Sequence, residues 1–205
     1  MTTARDLLFV SLDVPSGRPV ERGDLSLALA GAELVDLLAA GAASLDGDRV
    51  VPVPGAAVGD GSLDEAGSAL VRKEPYESVE DWLWRRGDGL AAAYAAGLEA
   101  EERSGRPRRS WLARSRADTS ASVRPSADAE DRRHAADRWT AREPVLVGLA
   151  AALGIPEETA GEPEGLADDT EAVLAAVNGA LTELEAVRQR RRIEDAAFDN
   201  VWRAP

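Results

Sequence analysis

The stretch DLSLALAGAELVDLLAA, residues 24–40, decides the fold. Ala and Leu fill it, and these residues lose little freedom on entering a helix. Asp24 stands where an N-cap is wanted, and Gly41 stands where a left-handed C-cap residue is wanted. After Asp24 the only polar side chains are Ser26, Glu33 and Asp36. A helix with so narrow a polar stripe has to be enclosed by other helices. Gly31 lies at its middle, where Gly costs about 1 kcal/mol relative to Ala, which predicts a close approach by a neighbouring helix. The expectation is therefore a mainly α fold, with residues 1–205 forming a single helical domain around this buried helix, and small β-hairpins beside it.

Outward from this helix, residues 4–12 (ARDLLFVSL) read as a short apolar helix that stops at the turn-rich Asp13–Gly17. On the other side, ASLDGDRVVPV alternates around Asp46-Gly47, a hairpin signal over residues 43–54, with Pro52 and Pro54 marking the second strand as an edge. Ser62–Glu65 reads as a capping box that opens a helix to about Lys73, and Pro75 breaks the chain. Short helices are expected over 78–86 and from Asp88 to about Ser104. Residues 105–125 lose helical periodicity, and two strand-like arms around Ala117-Asp118 predict a second hairpin near 108–124. A charged surface helix follows over 126–139. Thr140 and Glu143 read as a capping box before Pro144 and the apolar VLVGLAAALGI. An acidic Pro/Gly loop spans 156–167, and one or two helices complete the chain from Asp168 to Trp202.

Composition narrows the function classes. The chain has no Cys, which excludes disulfides, thiolate nucleophiles and thiolate metal sites. The N-terminal apolar run is too short and too charged for a secretory signal, and no segment reaches the length of a spanning helix. A cytosolic location is expected. The net charge of −13 argues against general nucleic-acid binding. That charge is segregated: residues 103–142 hold 11 Arg against 5 Asp and Glu, a net of +6, which leaves −19 for the rest. Such a division points to a partner of negative sign.

Four segments in order, ARDLLFVSLDVPSGR (4–18), LSLALAGAELVDLLAAGAASLDGDRVV (25–51), AAVGDGSLDEAGSAL (56–70) and VEDWL (79–83), resemble the Golgi phosphoprotein 3 family and its actinobacterial relatives. Gly59, Asp60, Leu63, Asp64, Glu65 and Ala66 match the family's T-G-D-x-x-L-D-E-A signature, with Val58 in place of the Thr. Trp82 matches the family's V-x-x-W. The resemblance spans nearly the whole chain, and its specific half is residues 4–84. It implies one helical domain around a buried central helix, with hairpins at one end. It also implies phosphatidylinositol phosphate binding at a membrane and an adaptor role, as in the eukaryotic members. Their head-group pocket uses a Trp ahead of the central helix, an Arg near its start and an Arg pair on a later helix. Here Glu21–Ala30 contains no Trp, the matching Arg position is Ala30, and Leu90–Glu102 contains no Arg. That pocket does not carry over residue by residue.

The candidate site rests instead on the arginines. Arg106, Arg108, Arg109, Arg114 and Arg116 surround Trp111-Leu112. Interleaved cations and an exposed Trp suit an anionic membrane interface, since Arg meets phosphates bidentately and Trp favours the head-group layer. The alternative is a solubilising Arg-rich loop with Trp111 tucked against the domain. His134, the single His, follows Glu130 by four and Asp131 by three; a solvated face with an i,i+4 pair is the more economical reading than a metal site. Arg188 and Arg190–Arg192 are flanked by Glu185, Glu194 and Asp195, as on a salt-bridged helix face. Trp82 and Trp84 point about 200° apart on a helix, so one is expected in the core and the other partly exposed. No nucleophile elbow, dinucleotide loop or acid–base pair is marked by spacing. The sequence thus predicts a non-enzymatic protein without cofactor or metal, peripheral at the inner face of the cell membrane, with anionic phospholipid or a membrane-associated protein as partner. The alternative is a cytosolic protein-interaction or adaptor module that has lost lipid binding.

Overall fold

The computed structural model describes residues 2–16, 18–55, 61–105, 127–156 and 165–203. Helix α1 spans Thr3–Asp13 and α2 spans Arg22–Ala39. Strands β1 (Ala43–Asp46) and β2 (Arg49–Pro52) follow, then α3 (Gly61–Ala69), α4 (Val79–Gly87) and α5 (Leu90–Gly105). Helices α6 (Ala127–Thr140), α7 (Pro144–Ala152) and α8 (Asp168–Arg203) complete the order. The fold is mainly α, as the sequence predicts.

Helix α2 is the hub, packed against α1, α3, α4, α5, α7 and α8. Ala28, Leu29, Ala30, Ala32, Leu34 and Leu37 are sealed from solvent. Gly31 does mark a close approach. A Cβ built there would lie 2.4 Å from a methyl of Val177 on α8. Gly41, at φ +66°, ends α2 in the left-handed conformation that Gly adopts without a Cβ penalty. The first hairpin pairs Ala43 with Pro52 and Asp46 with Arg49, so the two turn residues are Gly47 and Asp48. The outer edge of β2 is not free, because Val50 N donates to Glu77 O and Val79 N donates to Asp48 O.

Several helix boundaries differ from expectation: α3 opens at Gly61, so Ser62 stands inside the helix and not at its cap, and α5 starts at Leu90, with Asp88 closing α4. Helix α2 starts at Arg22, two residues before Asp24, and Glu21 supplies no side-chain cap. Asp24 sits in the first turn, where a carboxylate favours the positive helix end, and it accepts a 2.6 Å bond from Arg188. Helix α3 ends at Ala69 and not near Lys73. The exposed carbonyls of Gly67 and Ala69 are taken by Arg72 and Arg85, and Pro75 bars Glu74 from helical geometry. The cap of α7 is Glu143 itself, whose carboxylate accepts from Val145 N and Leu146 N. Thr140 stays in the last turn of α6 and donates to Ala136 O, because Arg142 at φ +58° breaks the chain two residues later. The second predicted hairpin, 108–124, and the acidic loop over 157–164 lie outside the described residues.

Candidate functional site

The arginine-rich candidates, Arg106, Arg108, Arg109, Trp111, Leu112, Arg114 and Arg116, all lie outside the described residues, as do Gly59 and Asp60 of the signature. What the structure describes is the ground on either side of them. Helix α5 ends at Gly105 and α6 begins at Ala127. Arg5 on α1 joins the two, with its guanidinium bidentate on Glu101 of α5 and its Nε 2.8 Å from Asp131 of α6. The latter is an ion pair without an aligned hydrogen bond.

The polar stripe of α2 is not a solvent face. It is a buried seam with a partner for each group. Ser26 Oγ accepts from Ala91 N at 3.0 Å, and Asp36 accepts from Thr3 N at 2.7 Å. Burial pushes the Asp36 carboxyl above the usual carboxylate range, against the opposing pull of the Thr3 hydrogen bonds. Glu33 is 1% exposed and holds the Arg86 guanidinium at 2.7 and 3.0 Å, while Tyr94 donates to it at 3.0 Å. Arg86 also reaches Glu65 of the signature helix at 3.1 Å. Its guanidinium is held charged above its ordinary range, first by the hydrogen bond to Glu33. Burial, reinforced by the Glu33 charge, pushes the Tyr94 hydroxyl up as well. Near neutral pH Arg86 and Tyr94 both keep their protons, and the seam clamps α2 to α3, α4 and α5. It backs a half-open cleft of about 190 Å³ whose apolar lining includes Leu8, Leu90, Ala93 and Leu98.

The positions that match the eukaryotic head-group pocket are built otherwise. Ala30 is fully buried, and its carbonyl accepts from Trp82 Nε1 at 3.0 Å. Trp82 is core and Trp84 is partly exposed, as the spacing predicts. Trp84 separates two open grooves. One, about 560 Å³, runs between the start of α2, the α4–α5 junction and Leu184 of α8, with exposed Arg22 at its rim. Arg22 has no partner among the described residues. The other, about 690 Å³, is lined by Arg49, Val71, Tyr76 and Arg85. Arg85 is committed to Glu77 by two bonds of 2.9 and 2.7 Å.

His134 does not sit on a purely solvated face. Its Nδ1 lies 3.3 Å from Asp6 Oδ1 on α1, and Asp131 turns to Arg5. Among the described residues no three His, Asp or Glu side chains converge on a metal position. Arg188 is bridged to Asp24 and Glu185, and Arg192 to Glu185, while Arg190 and Arg191 are exposed. Sequence reading missed the Glu33–Arg86–Tyr94 clamp. The one available signal was a Glu inside an otherwise apolar helix, which demands a buried cation.

Among the described residues no helix is long and apolar enough to cross a membrane. No curated protein matches the chain, and no solved structure matches it. A family model does match, that of Golgi phosphoprotein 3 (GPP34), over residues 4–192. That match takes in the sealed α2 hub, the first hairpin and the α3 signature helix clamped through Glu65, so the chain belongs to the Golgi phosphoprotein 3 family.

Proposed function

We propose that this chain is a non-enzymatic peripheral protein that meets anionic phospholipid through its arginine-rich segment around Trp111, at the inner face of the cell membrane. The observation that carries this reading is the charge division: a net of +6 over residues 103–142 in a chain of −13. Family membership supports a membrane-facing role, and placement in the actinobacterial branch rests on the resemblance of residues 4–84. Binding is to anionic lipid in general and not to one phosphoinositide, since Ala30 is sealed in the core and α5 offers no Arg before Arg103. Co-sedimentation with vesicles of phosphatidylcholine, with and without phosphatidylserine, at two salt concentrations tests it. Binding that needs the anionic lipid and fades with salt is expected; equal recovery with neutral vesicles would overturn the reading.

A second reading is a cytosolic adaptor module. The partly exposed Trp84 between two grooves favours it, since a Trp beside apolar hollows is a common anchor in protein interfaces. Under this reading the parent does not sediment with phosphatidylserine vesicles, and Trp84→Ala abolishes capture of its protein partner.

A further inference from the structure

Helix α6 is fastened in an unusual way. The face it turns to the protein carries Asp131, Arg132, Ala135, Arg138 and Trp139, where a packed helix ordinarily presents Leu or Ile. Ala135 alone among these is fully buried. The fastening is ionic: Arg5 to Asp131 at 2.8 Å, Asp13 to Arg132 at 2.6 Å and Asp6 to Arg138 at 2.5 Å. His134 adds a 3.3 Å contact to Asp6, and Arg138 continues to Glu143 of the α7 cap at 2.9 Å. Beneath the helix lies Phe9, 1% exposed yet outside the contiguous core. Two guanidiniums cover its ring, Arg132 at 4.9 Å and Arg5 at 5.6 Å from the centroid.

We propose that α6 is an ionic clasp, closed in solution on the acids of α1 and released when an anionic bilayer takes Arg132 and Arg138 from Asp13 and Asp6. This rests on the membrane reading above. The pairs at Asp131 and Asp13 are partly exposed, contribute little each and are screened by salt, while the Asp6 carboxylate, sealed beneath α6, regains water as the helix lifts away, so the closed state is held by a margin that a charged surface can exceed. A bilayer shifts such a balance only through a better fit to the open state. Two differences supply it. The released arginines add to the segment that precedes α6 in the chain. Phe9 is also uncovered one turn from Leu12, which is already 59% exposed, and together they make an apolar patch that a bilayer accepts and water does not. In solution the same contacts act as a mask, pairing two arginines with the protein's own carboxylates.

The test uses the full chain and Asp13→Asn. Asp13 ends α1, where a carboxylate opposes the helix dipole, so the variant keeps its fold. Hydrogen exchange is followed at about 0.1 and about 1 M NaCl, where the Debye length falls from about 10 to 3 Å. Amides of α6 should exchange about tenfold faster at high salt while those of α2 hold their rate. Asp13→Asn should show the faster exchange already at low salt and should bind phosphatidylserine vesicles several-fold more tightly than the parent. An α6 equally protected at both salts overturns the clasp, and so does a variant with unchanged vesicle affinity. If parent and variant both ignore the vesicles while α6 opens in salt, the membrane reading fails and release by a bilayer fails with it; the salt response then stands alone.

Discussion

Gly31 has no room for a methyl group. Val177 is fully buried on α8, its β-branched side chain holds one rotamer, and a Cβ at residue 31 would sit 2.4 Å from it. Gly31→Ala gains about 1 kcal/mol in helix propensity but must force apart the α2–α8 contact, at about 1–3 kcal/mol, with Gly31→Leu worse. A lowered melting temperature is expected. In a Val177→Ala background the obstruction is gone, and Gly31→Ala should become neutral or stabilising; a double-mutant cycle with no coupling would show the approach is not tight. Asp36 makes a prediction of opposite sign to the usual carboxylate. Its pKa is raised on folding, so the fold binds that proton more tightly than the unfolded chain does. Stability from this group is present at low pH and is lost as pH rises through the raised value. Asp36→Asn keeps an oxygen for Thr3 N–H and removes the buried charge. The variant should therefore equal or exceed the parent's melting temperature at pH 7. Its advantage should shrink as pH falls through the raised pKa and vanish below it. An advantage that grows on acidification would refute the assignment.

At the scale of elements, what the sequence made legible is what depends on near neighbours. Helix α2 was readable because its Ala and Leu content and its closing Gly41 agree, and the first hairpin because Gly47 can take a positive φ. Helical spacing alone told that one of Trp82 and Trp84 is core and the other partly exposed, and the match of Trp82 to the family's V-x-x-W pointed to the core residue. What depends on distant partners was not legible. Glu33, Asp36 and Ser26 read only as a narrow polar stripe with no partner named, and their partners are Arg86, Tyr94, Thr3 and Ala91, between 33 and 65 residues away. The caps failed for a local reason: a capping box fixes residue types but not the position at which the chain leaves helical geometry. At Thr140 that position is set by Arg142 and Pro144, which moves the cap to Glu143. Glu143→Ala removes both cap bonds and the Arg138 bridge, and should cost about 1–2 kcal/mol by denaturant midpoint. Thr140→Ala should cost well under half of that; the reverse order would restore the original capping box.

On the scale of the whole molecule, the question is how a chain of −13 could rest on an anionic surface. Exposed charges farther apart than about 8–10 Å are largely screened at physiological salt, so a local excess of cations can act while the acidic remainder faces away. Among the described residues Arg5, Arg49, Arg85, Arg86, Arg132, Arg138, Arg188 and Arg192 each hold a carboxylate. In the sequence, over residues 106–116, Arg106, Arg108, Arg109, Arg114 and Arg116 stand with no Asp or Glu among them. Each Arg near an anionic bilayer contributes about 1 kcal/mol, so removing three of them should weaken binding by a factor of about 100. Arg106, Arg108 and Arg109 replaced together by Ser should therefore abolish sedimentation with phosphatidylserine vesicles. Trp111→Ala should weaken binding yet leave its slope against salt unchanged, because Trp contributes insertion at the head-group layer and no charge. The two variants separate the terms: the first flattens the salt dependence, the second lowers affinity at every salt concentration alike. A triple variant that binds as well as the parent would make residues 106–116 a solvated surface. The partly exposed Trp84 and its two grooves would then become the place to look for a partner.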